Sequence, residues 1–200
     1  MRKVLSILVL FITLNSVAQI KSKVQKVNGI EVYLLAEPVR EYETLKGGGK
    51  GIQWGSVITG GLVNESIATK VSKYINKLAK QYKYENIKFD AVIYTNGKQM
   101  TAIKFTDEKT PENDRIAVVQ KIEAIPFFVM SEPIKDYDFI KKIRGGIKWK
   151  SALTGGLINN SIEQDLLKFA KKMEKKFWRK QISAIIYKRG KKAIAIKFNK

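Results

Sequence analysis

Residues 36–67 read AEPVREYETLKGGGKGIQWGSVITGGLVNESI, and residues 131–162 read SEPIKDYDFIKKIRGGIKWKSALTGGLINNSI. The two stretches superpose at a constant spacing (131 − 36 = 95) that matches Glu37-Pro38 to Glu132-Pro133, Tyr42 to Tyr137, Ile52 to Ile147 and Trp54 to Trp149. Thr59-Gly60-Gly61-Leu62 falls on Thr154-Gly155-Gly156-Leu157, Asn64 on Asn159, and Ser66-Ile67 on Ser161-Ile162. The match extends upstream, where Gln25-Lys26 falls on Gln120-Lys121. Downstream it continues at a slightly shorter spacing (187 − 94 = 93), matching Tyr94 to Tyr187, Gly97 to Gly190 and Ile103-Lys104-Phe105 to Ile196-Lys197-Phe198. Self-similarity at a fixed period over most of a chain is the mark of an internal duplication. The repeats span residues 25–105 and 119–200, and residues 106–118, which hold Pro111 and several acids, read as a polar linker.

Within one copy the patterns follow a fixed order. Residues 30–36 are apolar and read as a buried strand closed by Glu37-Pro38, because proline cannot donate to a central ladder. Residues 125–130 repeat this, and residues 42–45 and 52–58 read as further short strands. A helix follows each Thr-Gly-Gly, with Asn64 as N-cap in the first copy and Asn160 with Glu163 as a capping box in the second. Its apolar positions recur at helical spacing: Ile67, Val71, Tyr74, Ile75, Leu78 and Tyr82, then Ile162, Leu166, Phe169, Ala170, Met173 and Phe177. A hairpin closes each copy, around Asn96-Gly97 and around Arg189-Gly190. Strands, helix and hairpin in that order predict an α+β fold of two tandem repeats, each a small, mostly antiparallel sheet with one helix packed on one face.

The short strand ending in Glu-Pro, the nearby Tyr, the helix, and Ala-Val-Ile before a last strand resemble the small α/β domains of RcsF-type envelope sensors and YbjQ-type heavy-metal-binding proteins. Glu37-Pro38, Tyr42, Asp90-Ala91-Val92-Ile93 and Ala102-Ile103 carry the resemblance in the first copy. Glu132-Pro133, Tyr137, Ala184-Ile185-Ile186 and Ala195-Ile196 carry it in the second. The resemblance implies the fold and no functional residue. RcsF-type sensors are disulfide-bonded and lipid-anchored, whereas this chain has no cysteine, and metal binding of the YbjQ type is hard to support without cysteine or histidine.

The first 18 residues read as a signal peptide. Arg2 and Lys3 precede an apolar run at 4–14, and Ser16-Val17-Ala18 supplies small residues for cleavage after Ala18. The run is shorter than the roughly 20 apolar residues that a membrane span needs. The expected destination is therefore the periplasm or the exterior, with no integral membrane segment after cleavage. The absence of cysteine leaves core packing alone to hold the exported domains together. The absence of histidine removes the commonest general base and metal ligand, so Ser-His-Asp triads, Cys-His pairs and ordinary zinc sites are excluded. No catalytic residue, cofactor or metal is expected.

The chain carries 38 Lys+Arg against 18 Asp+Glu, a formal net charge of +20. Such a surface attracts polyanions. Lys168, Lys171, Lys172, Lys175, Lys176, Arg179 and Lys180 recur opposite the apolar stripe of the second helix and are the candidate polyanion-binding face; Lys70, Lys73, Lys77 and Lys80 form a thinner version on the first. Trp54, Thr59, Gly60, Gly61, Trp149, Thr154, Gly155 and Gly156 are candidate ligand-binding residues. Each Thr-Gly-Gly is either a tight turn or an anion site at a helix start, and each Trp is either core or a stacking platform. Residues 47–51, Gly-Gly-Gly-Lys-Gly, lack phosphate-loop spacing and read as a connector. The function expected is an exported, non-enzymatic binding module of the cell envelope engaging an anionic ligand or a protein partner. The alternatives are an enzyme using Asp/Glu, Tyr or Lys on a phosphorylated or sugar substrate, and a structural subunit of an envelope assembly.

Overall fold

The computed structural model describes residues 19–45, 67–84, 86–94, 100–122, 125–143, 171–173, 175–176, 181–187 and 193–199. Their strands form one long sheet and one small one. At the centre of the long sheet, β3 (Ile30–Leu34) and β10 (Ile125–Val129) run antiparallel and pair at Leu34 and Val129. Outward from β3 come β6 (Ala91–Tyr94), parallel to it, then β7 (Thr101–Phe105) and β5 (Tyr42–Thr44), both antiparallel to their neighbours. Outward from β10 come β13 (Ala184–Tyr187), again parallel, then β14 (Ala193–Phe198) and β12 (Tyr137–Ile143). Two short strands, β2 (Lys26–Val27) and β9 (Lys121–Ile122), fold back on β3 and β10. The small sheet has the order β11 (Ser131–Pro133), β1 (Lys21–Val24), β8 (Ile116–Val119), β4 (Ala36–Pro38).

The four central strands of the long sheet are buried almost throughout. Strands covered on both faces read as continuous apolar runs, and IEVYL, AVIY, IPFFV and AIIY are such runs apart from Glu31 and Pro126. One face presents Val32, Leu34, Val92, Tyr94, Phe127, Val129, Ile185 and Tyr187. Against it pack Val71, Tyr74, Ile75, Leu78 and Tyr82 of α1 (Ile67–Tyr84), together with Met173. The other face meets the small sheet in two patches. Tyr33, Ala91, Ile93 and Ile103 close on Val24, Ala36 and Ala117, and Phe128, Ala184, Ile186 and Ile196 close on Val119. Helix, long sheet and small sheet thus make three layers, an α+β arrangement rich in strands.

The chain changes sheets at two left-handed residues, Leu35 (φ 53°) and Met130 (φ 52°). Each follows a central strand and precedes a strand of the small sheet, β4 or β11. A left-handed non-glycine residue costs about 1–2 kcal/mol, and both side chains are fully buried, which recovers a comparable amount, about 1.5–3 kcal/mol per large apolar side chain. Asn28 (φ 52°) and Gly29 (φ 82°) turn β2 into β3, the positive-φ pair that a two-residue hairpin requires. The Asn28 amide then ties this turn to α1, donating to Ser72 Oγ (3.1 Å) and Asn76 Oδ1 (2.9 Å).

The architecture differs from the sequence expectation in three places. Strands from residues 25–105 and from residues 119–200 enter one long sheet instead of forming two separate small ones. Its inner pairs, β3 with β6 and β10 with β13, are parallel, because the helical crossover brings the chain back in the same direction. Glu37-Pro38 and Glu132-Pro133 do not simply end a strand; they lie in β4 and β11, the outer strands of the small sheet, where a missing N–H is tolerated. In addition, β8 begins within the stretch 106–118 that reads as a linker. The expected strand at 52–58, both helix N-caps and the Asn96-Gly97 and Arg189-Gly190 turns lie outside the described residues.

Candidate functional site

Helix α1 contains five lysines and no acidic residue, and Lys83 in its last turn favours the negative end of the helix dipole. Its apolar stripe is buried, whereas Lys73, Lys77, Lys80 and Lys83 are exposed. The same division holds in the described part of the second helix. Met173 is buried in the core shared with α1, and Lys171, Lys172, Lys175 and Lys176 are exposed. Residues four apart share a helix face, so Lys171 with Lys175, Lys172 with Lys176 and Lys73 with Lys77 form neighbouring cations. Leu34 and Val129 are paired across the centre of the sheet and belong to this core, so both helices cover the same sheet face. Their lysines point away from it, giving one outer layer that is basic on two elements far apart in sequence.

Of the other candidate residues, Trp54, Thr59, Gly60, Gly61, Trp149, Thr154, Gly155, Gly156, Lys168, Arg179 and Lys180 lie outside the described residues, as does the Lys70 side chain.

A polar cluster that the sequence reading did not single out lies on the opposite face of the sheet. Glu31 is 5% exposed. Its Oε2 accepts a hydrogen bond from the Tyr33 hydroxyl (2.7 Å), and Lys26 Nζ lies 3.8 Å from its Oε1. Burial first, and then the hydrogen bond and charge of Glu31, push the Tyr33 hydroxyl far above its ordinary pKa, so it stays protonated and is a poor nucleophile. The Tyr33 ring meets Phe105 edge-on (6.3 Å, 75°), and the Arg40 guanidinium lies 3.9 Å over the Phe105 ring. Arg40 Nε donates to Asp107 Oδ1 (2.9 Å) and Nη2 to the Asp107 carbonyl (2.7 Å). Nearby, the Tyr42 hydroxyl donates to Glu37 Oε2 (2.9 Å); burial, then this bond and the Glu37 charge, push it up to about 12. The signal was legible: a glutamate inside an apolar strand needs a partner. The residues 95 positions after Glu31, Tyr33 and Arg40 are Pro126, Phe128 and Lys135, so these three side chains do not recur at that spacing.

In chemical terms the Tyr33 and Tyr42 hydroxyls and the Arg40 guanidinium all donate to acceptors within the protein, and the Tyr33 hydroxyl holds its proton. Among the described residues no group of three or more acidic side chains converges to hold a metal ion, and no helix is long and apolar enough to cross a membrane. No protein-family model, curated protein or solved structure matches the chain.

Proposed function

We propose that the protein is an exported, non-enzymatic binding module of the cell envelope, built from two copies of one unit, whose helix layer engages a polyanion. One observation carries the reading: Lys73, Lys77, Lys80 and Lys83 of α1 and Lys171, Lys172, Lys175 and Lys176, distant in sequence, lie exposed, while the apolar stripe of α1 and Met173 beside those second lysines are buried in one core on one sheet face. In its described part the layer therefore buries its apolar side and presents charge outward. The absence of acids from α1 favours an anionic partner further, since no carboxylate on that helix offsets its lysines. Export rests on the signal-like first 18 residues.

The test is binding of residues 19–200 to heparin, lipopolysaccharide and DNA across a salt series, with a variant carrying glutamine at Lys171, Lys172, Lys175 and Lys176. Affinity that falls steeply with salt in the parent and is lost in the variant supports the reading, because counterion release makes polyanion binding salt-dependent. No binding at low salt sinks it.

A further inference from the structure

The pairings between the first and second stretches obey one rule. In the long sheet Leu34 pairs with Val129 (129 − 34 = 95), so the two residues that meet are each other's counterparts in the repeat. In the small sheet Ser22 pairs with Ala117 (117 − 22 = 95), and its flanking pairs, Lys21 with Val118 and Lys23 with Ile116, are each other's images at the same spacing. Strand β1 pairs with β11 through Ser22–Pro133, Lys23–Glu132 and Val24–Ser131. Shifting every member of these pairs by one repeat gives Ala117–Pro38, Val118–Glu37 and Val119–Ala36, which are the pairs between β8 and β4. Single hydrogen bonds are reciprocal too. Gln25 N donates to Met130 O (3.0 Å) and Gln120 N to Leu35 O (2.9 Å); Val24 N donates to Arg115 O (2.9 Å) and Val119 N to Ile20 O (2.8 Å); Ile134 N donates to Lys21 O (3.3 Å) and Val39 N to Ile116 O (3.1 Å).

Contacts in which residue i of one unit meets j of the other, and j meets i, define an isologous two-fold interface. We infer that the chain is a strand-exchanged dimer of one unit, fused into a single polypeptide. Each unit lends its first strand to the other: β1 completes the edge strand β11 of the second unit, and β8 completes β4 of the first. The left-handed residues Leu35 and Met130 mark the crossing. The N–H of each bonds within its own unit, to Tyr94 O (2.9 Å) and Tyr187 O (3.0 Å), while its carbonyl accepts from a glutamine of the other. The surface that each unit buries is therefore shaped for a second copy of itself, and neither small-sheet edge is complete without the exchange. The inference stands apart from polyanion binding and survives its failure.

The chain has no cysteine, so introduced pairs are unique. Paired antiparallel residues have Cα atoms about 4.5–5.5 Å apart, inside the disulfide range of about 4.4–6.8 Å. Two exchanged pairs, Lys23→Cys with Glu132→Cys and Glu37→Cys with Val118→Cys, are built in the full chain, each with a protease site inserted between Pro111 and Glu112. Lys23→Cys with Glu37→Cys is the control: these positions pair only if each unit keeps its own first strand, and because both lie in the first half it is read by thiol titration, with two free thiols expected after oxidation. After folding, oxidation and cleavage, a non-reducing denaturing gel is expected to show the exchanged pairs joined at full mass, released by reductant, and the control as separate halves. The cut chain without introduced cysteines is expected to elute natively at the size of the uncut protein. Should one exchanged variant not fold, the other carries the test. Free halves from the exchanged pairs on the non-reducing gel, or native separation of the cut chain, overturns the inference.

Discussion

Replacing Arg40 tests whether the polar cluster on the small-sheet side stabilises the fold. Arg40 is 8% exposed, makes two hydrogen bonds to Asp107 and stacks 3.9 Å over Phe105. A hydrogen bond to a charged group contributes about 1.5–3 kcal/mol, and a cation over an aromatic ring about 0.5–2 kcal/mol. The Asp107 side chain is 27% exposed and regains water when its partner leaves, which draws the net loss toward the lower end. We expect Arg40→Ala to cost about 2–3 kcal/mol. Arg40→Lys keeps the charge but loses the planar fork and the stacking, and is expected to cost about 1–2 kcal/mol. For a chain of this size each kcal/mol lowers Tm by about 2–4 °C. Urea unfolding followed by circular dichroism, on Arg40→Ala, Asp107→Asn and the double variant, should give a coupling energy of about 1–2 kcal/mol. Wild-type stability in Arg40→Lys, or additive single losses, refutes the assignment.

Three further outcomes follow from the packing and the hydroxyls. Ser22 Oγ is buried without a hydrogen-bond partner and sits opposite Ala117, so Ser22→Ala should leave the urea midpoint unchanged or raise stability by up to about 1 kcal/mol; a loss larger than that contradicts the pairing environment. Met173→Ala should cost about 2–4 kcal/mol by emptying the core under the second helix, whereas Lys172→Ala stays within about 0.5 kcal/mol, and equal effects in thermal melts would mean that the helix is not docked. Tyr42 and Tyr74 are each held up to about 12 against an ordinary 10.0, Tyr42 by burial and then Glu37, Tyr74 by burial and then the neighbouring Tyr82. The folded state keeps these protons longer than the unfolded state, so stability is level below about pH 10 and falls as pH rises toward 12. Tyr42→Phe should flatten that decline, and a tyrosinate titration in which every tyrosine ionises near 10 would disprove it.

Much of the fold can be read in the local sequence. The helical spacing of Val71, Tyr74, Ile75, Leu78 and Tyr82 gives the buried stripe of α1, and the run at 30–34 gives a buried strand. The turn at Asn28-Gly29 was legible and passed over, although Asn-Gly is a strong hairpin signal. The parallel pairs were not legible. A strand buried on both faces is equally apolar whichever way its neighbour runs, and direction is set by a crossover that local patterning does not encode. The exchanged strands were harder still. In β1 the sequence KSKV buries only Ser22 and Val24, too little signal to recognise a strand, let alone its partner more than a hundred residues away. At the candidate site, the basic helix faces were legible because charge opposite an apolar stripe is a local pattern. The Arg40–Asp107 pair was not, because its members are 67 residues apart.

Matching positions in the two halves of the chain also separate what the scaffold requires from what one half adds. Tyr33 meets Phe105 edge-on at 6.3 Å and 75°, and the matching Phe128 meets Phe198 at 6.2 Å and 80°. The ring contact therefore supports the sheet in both halves, and its geometry tolerates the exchange of hydroxyl for hydrogen. Glu31, the Tyr33 hydroxyl and the Arg40–Asp107 pair have no equivalent beside Phe128, where Pro126 and Lys135 stand instead. A buried glutamate held by a tyrosine contributes little net stability over an apolar pair of similar shape, and the second copy packs without one. The Glu31–Tyr33 pair is thus an addition to the first half rather than a condition of the fold. Glu31→Leu combined with Tyr33→Phe, which reproduces the apolar ring of Phe128 and removes both the buried carboxylate and its donor, is expected to keep the fold within about 1 kcal/mol of the parent, whereas Glu31→Leu alone should cost more by leaving the Tyr33 hydroxyl buried without its acceptor. A double variant less stable than the single one, measured by urea unfolding, would show instead that the cluster is needed to hold β3 in place.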